Sequence, residues 1–174
     1  MRPLRAEEIE VRVGTVGDGK VTLLLYKDAR VDMAILDEEY GVYGWQRDHK
    51  EIKGNMYCGI GVKSPDGDWV WKWDCGTESN TEKEKGESSD SFKRAGFCWG
   101  IGRELYETPR ITLKGVNTIK EGNRYKLVNQ LELWGLYVKE FETRETQGKR
   151  ICSKVIINQK TFKGDYEVYK WEEK

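Results

Sequence analysis

The chain has 174 residues, 37% hydrophobic, 11% aromatic and 34% charged, which suits one folded domain and leaves no apolar run long enough to span a bilayer. Lys plus Arg number 30 and Asp plus Glu number 30, so the formal net charge is zero and any affinity for nucleic acid has to come from a local stripe of cations. The four dispersed cysteines and the single histidine, His49, offer no zinc-ligand spacing, and no apolar leader follows Met1, so the expectation is a cytoplasmic protein with reduced thiols and no metal.

In chain order, residues 5–13 mix charge with small apolar side chains and predict a short helix or arm. Residues 14–19 predict a turn through Gly17-Asp18-Gly19, and 21–26 a strand. Asp28 is placed to cap a helix over 29–39. Three strands follow, at about 45–50, 56–63 and 68–76, the last two joined by the turn Ser64-Pro65-Asp66-Gly67. In the third, Trp69, Trp71 and Trp73 recur at the strand period of two and therefore share one face. Residues 77–89 are polar, and a helical pattern runs from Ser88 to about Leu105, with Phe92, Ala95, Gly96 and Trp99 on one side. Residues 111–130 predict irregular or weakly helical structure. Residues 131–142 and 149–159 predict a hairpin around Gln147-Gly148, with a further strand at 165–171.

Several chemistries lack their signatures. There is no phosphate-binding loop, and Gly100-Ile101-Gly102 lacks a third glycine and a preceding strand. No nucleophile elbow or Cys–His pair stands out, which favours binding over catalysis.

Three features carry more information when taken in order. They are Tyr40-Gly41-Val42-Tyr43-Gly44-Trp45 after a helix, the aromatic meander ending in Asp74-Cys75-Gly76-Thr77, and a helix bearing Asp90, Lys93, Arg94 and Ala95 before Gly100 and Gly102. This pattern resembles the annealing domain of the Rad-fifty-two family of DNA repair proteins, in its compact phage and bacterial forms, over about residues 20–108.

The resemblance implies a β-β-β-α core, with a three-stranded antiparallel meander packed on a long helix; with the C-terminal β-hairpin read from the residue pattern, the expected fold class is α+β. It implies one annealing domain over 1–174, with its core at about 20–108 and an extension at about 111–174. It further implies a homo-oligomeric ring that binds single-stranded DNA and anneals complementary strands without ATP or any other cofactor, in a bacterial cell or phage-infected host. Residue by residue, Lys93 and Arg94 match the family's groove-floor cations, and Thr77 matches a groove-lining position. Arg12 matches a basic residue ahead of the first strand, and Lys83 or Lys85 a lysine before the helix. Tyr40 matches an aromatic position near an outer DNA site; the family's lysine beside that site falls nearest Asn55, and Lys53 is the basic partner offered for it here.

Other readings of the same residues stay open. Lys93 and Arg94 on a helix also read as a solvated face paired with acids. The Trp row reads as a base-stacking platform or, preferably, as a core or subunit-contact face covered by the glycine-bearing helix. Lys83 and Lys85 alternate with glutamates, and Arg103 and Arg110 suit a helix end. The C-terminal cations Lys139, Arg144, Lys149, Arg150, Lys154, Lys160 and Lys163 serve either DNA or sheet extension. Two other functions remain: a recombination mediator acting through a host single-strand binding protein or recombinase, and a metal-dependent nuclease.

Overall fold

The computed structural model of the chain describes residues 1–76 and 83–173, with the side chains of 83–85 outside the description. The chain folds as two compact units, one of residues 1–3 and 27–103, the other of residues 4–26 and 104–174.

The first unit opens with α1 (Ala29–Tyr40), which begins where Asp28 accepts a hydrogen bond from the Arg30 amide. Its buried residues are Asp32, Ile35 and Leu36. The strands β3 (Trp45–Ile52), β4 (Asn55–Lys63) and β5 (Trp69–Cys75) form an antiparallel sheet in that order. A single α-helix, α2 (Lys83–Cys98), then packs on β4 and β5. Alternation in β4 sends Cys58, Ile60 and Val62 into the core, where they meet the buried Phe92 and Ala95 of α2.

The second unit is built from strands. β1 (Glu10–Gly17), β2 (Lys20–Tyr26) and β6 (Ile111–Lys114) form one sheet in the order β1-β2-β6. β7 (Thr118–Glu121) and β8 (Arg124–Leu127) form a two-stranded ribbon. β9 (Leu136–Thr146), β10 (Lys149–Thr161) and β11 (Gly164–Glu172) form a third antiparallel sheet in sequence order. Val21, Leu23, Ile111, Val155 and Ile157 are among its most buried side chains. The buried carboxylate of Glu104 accepts the Leu4 amide at 2.8 Å.

The α+β expectation is therefore corrected: among the described residues the chain is mostly β, with eleven strands in four small sheets and only two short α-helices. Two segments account for much of the difference. β1 takes in residues 10–13, expected as part of a helix or arm, and residues 14–17, expected as part of a turn, and its pairing with β2 supplies partners for its backbone groups. Residues 111–127, expected as irregular or weakly helical, are three strands of four residues each, too short to show a period in sequence. The second α-helix is also shorter at its far end than the helical pattern to Leu105 implies. It stops at Cys98 because Gly100 and Gly102 take φ of 92° and 75°. Among the described residues no helix is long and apolar enough to cross a membrane.

Candidate nucleic-acid interface

The two cations singled out in sequence are consecutive on α2. Phe92 and Ala95 anchor that turn, with Phe92 6.1 Å from the Trp45 ring. Lys93 and Arg94 fall between these anchors and diverge. Arg94 is exposed and reaches β5, its guanidinium 3.3 Å from Asp74. Lys93 is half-buried, and its charge acts on two carboxyls of the α1 N-terminal region. Asp28 is held below the usual carboxylate range, first by hydrogen bonds from Arg30 and least by Lys93. Asp32 is pushed up to about 6 by burial, against the pull of Lys27 and, more weakly, Lys93. Asp32 and Lys27 form a buried ion pair with a 2.6 Å contact.

Arg12 lies in β1, in the other unit, with its guanidinium 5.3 Å from the Tyr26 ring centroid. Thr77 lies outside the described residues, and Lys83 and Lys85 are described only as backbone in the first turn of α2. Tyr40 ends α1 half-buried, and burial raises its hydroxyl above the usual tyrosine value. Lys53 is exposed in the β3–β4 turn with φ of 53°. The Tyr40–Trp45 motif turns the chain from α1 into β3. Gly41 takes φ of 73°, and the Trp45 indole donates to Asp37 at 2.7 Å.

Arg103 is structural, donating at 2.8 Å to the carbonyls of both Phe97 and Cys98 at the end of α2. Of the C-terminal cations, Arg144 pairs with Glu173, Arg150 with Glu145, and Lys154 with Glu140 and Glu142. Those pairs reduce what the hairpin offers a phosphate.

The tryptophan face departs from the preferred sequence reading in one respect, the cover expected from the glycine-bearing helix. α2 covers the face that carries Cys58, Ile60, Lys72 and Asp74. Lys72 donates to the Cys98 carbonyl at 3.2 Å, and the Trp99 indole donates to the Ile60 carbonyl at 2.9 Å. α1 reaches the same side through the Asp37–Trp45 bond. Trp69, Trp71 and Trp73 lie on the opposite face, so the helix does not cover them. The register pairs Gly59 with Trp73 and Gly61 with Trp71. A Cβ on Gly59 would fall 2.5–2.6 Å from Trp73 ring carbons, and one on Gly61 2.8–2.9 Å from those of Trp71. The two indoles therefore rest on bare backbone. They stack on each other with centroids 5.6 Å apart and planes inclined by 23°. Trp69 is 40% exposed beside Lys63, and the Lys50 ammonium lies 4.3 Å from the Trp73 ring centroid.

Sequence reasoning missed Lys50, Lys63 and the glycine floor. The signal was present: in β4 the apolar set is 58, 60 and 62, so the opposite set, with both glycines, faces the indoles once the hairpin register is fixed. No family model matches the chain, and no curated protein matches it.

Proposed function

We propose that the protein binds single-stranded DNA and promotes ATP-independent annealing of complementary strands in recombination and repair. The observation that carries this reading is the placement of Lys93 and Arg94. They are neighbouring cations on a helix fixed to the sheet by Phe92 and Ala95, and the Arg94 contact with Asp74 is a partly exposed 3.3 Å pair that a phosphate can replace. The sequence resemblance over about residues 20–108 supports the same function.

The mechanism is electrostatic and positional. Cations on a rigid helix hold the phosphates, release counterions and leave the base edges free to meet a complement. No covalent step or nucleotide cofactor is required. A closed ring of copies would set the α2 cations in a repeating track and lengthen the bound strand.

The test is annealing of two complementary labelled oligonucleotides, without ATP or metal, across a salt series. Wild type accelerates annealing, and the effect fades as salt rises. Lys93→Ala with Arg94→Ala weakens single-strand binding at any sequence and reduces the log–log salt slope by about 1.4, at roughly 0.7 per phosphate contact. A folded double variant that binds like wild type at every salt concentration removes α2 from the interface. Absence of both annealing and single-strand binding in folded wild type overturns the reading and favours a mediator acting through a protein partner.

A further inference from the structure

The open face of the β3–β5 sheet has a composition that packing inside its own unit does not explain. Three indoles recur along one strand, two of them resting on glycines, while both helices of the unit pack on the other side. We propose that this face is a base-stacking platform for single-stranded nucleic acid, with Trp71, Trp73 and Trp69 receiving unpaired bases and Lys50 and Lys63 receiving phosphates. This inference rests on the single-strand binding reading and adds a second contact surface to it.

The geometry and the charge favour that occupant. With glycine beneath each of Trp71 and Trp73, the inner face of each ring meets backbone; both side chains are half-buried, and the Lys50 ammonium lies over Trp73. The Trp71 and Trp73 ring centroids lie 5.6 Å apart, wider than the roughly 3.4 Å spacing of one strand in a duplex. Bases can follow that spacing only if they are unstacked from their neighbours, which selects single strands over duplex. The flanking charges suit phosphates: Lys50 and Lys63 lie on this face with one nearby acid, Asp48, 3.5 Å from Lys50. The Lys50 side chain is 57% exposed, and its contact with Trp73 is a cation–π pair, weaker at an exposed site than a base stacked on an indole. An arriving base therefore displaces the ammonium from the ring toward the phosphate beside it. A stacked base keeps its pairing edge free at the side, which is compatible with annealing.

The experiment titrates wild type, Trp71→Leu with Trp73→Leu, Trp69→Ala, and Lys93→Ala with Arg94→Ala with poly(dT). It follows tryptophan fluorescence and affinity at several salt concentrations, with sedimentation in parallel. Wild-type fluorescence is quenched on binding. The Trp71/Trp73 double variant loses most of that quenching and binds at least tenfold more weakly, with an unchanged salt slope, whereas the Lys93/Arg94 variant keeps the quenching and loses slope. If the double Trp variant fails to fold, Trp69→Ala, which disturbs neither the stacked pair nor the glycine floor, carries the test with a several-fold loss. Trp variants that bind like wild type overturn the platform while the function stands. Wild type that binds no poly(dT) overturns both. Trp variants that lose affinity only in step with a smaller sedimenting species overturn the platform and make this face a contact between copies of the chain.

Discussion

Trp73 rests directly on Gly59: with any side chain at Gly59, its Cβ would lie 2.5–2.6 Å from the indole carbons. By intrinsic preference, Ala in a strand is more favourable than Gly by roughly 0.5–1 kcal/mol. The indole reverses that sign, because an added methyl lifts a packed ring off its floor, and such overpacking typically costs about 1–3 kcal/mol. Gly59→Ala is thus expected to destabilise the protein in urea unfolding and to alter the near-ultraviolet circular dichroism of the stacked Trp71–Trp73 pair. A neutral or stabilised variant with an unchanged spectrum would show that the ring does not sit where this register places it.

The buried pair Lys27–Asp32 makes stability depend on pH. Burial raises the Asp32 carboxyl from 3.8 to about 6, so between these values the folded state holds a proton that the unfolded chain has released. The contribution of this group is fully present below pH 4, declines as pH rises through about 6 and is level above that. A shift of this size corresponds to something on the order of 3 kcal/mol. Asp32→Asn removes the titration. The stability of wild type minus that of the variant is therefore expected to fall between pH 4 and 6 in parallel urea titrations. A difference that rises over this window would mean that Lys27 dominates burial and holds the carboxyl low.

Much of the first unit was legible because its signals are local. Asp28 caps α1 through a contact two residues away, and the Ser64–Gly67 turn fixes the β4–β5 register. The side on which the indoles lie was equally encoded, since 58, 60 and 62 of β4 form its apolar set. The attraction of three large aromatics as core material obscured it. The second unit was less legible because it is assembled over long separations. β2 pairs with β6 about ninety residues later, and the short β6, β7 and β8 carry too few residues for a period to emerge. The divergence of Lys93 and Arg94 depends on Asp74 and on the start of α1, which no spacing along α2 reveals.

Gly96 of α2 faces Asp32 of α1 at close range, and the sign of its replacement tests that approach. In an ordinary helix interior, Gly→Ala stabilises by about 1 kcal/mol. Here a Cβ would lie well inside contact distance of Asp32 Oδ1, and neither neighbour is free to yield. Asp32 is completely buried and held by Lys27, while α2 is pinned one turn earlier by Phe92 and next to the glycine by Ala95. Gly96→Ala is therefore expected to destabilise by a few kcal/mol, against its helix propensity. The expected cause is specific, so the effect should be coupled to Asp32. In a background where Lys27→Met and Asp32→Ala have already removed the pair, Gly96→Ala should be neutral or stabilising, and the double-mutant cycle should show a coupling above about 1 kcal/mol. Equal costs in both backgrounds would place the obstruction elsewhere on α2 and detach Gly96 from the buried pair.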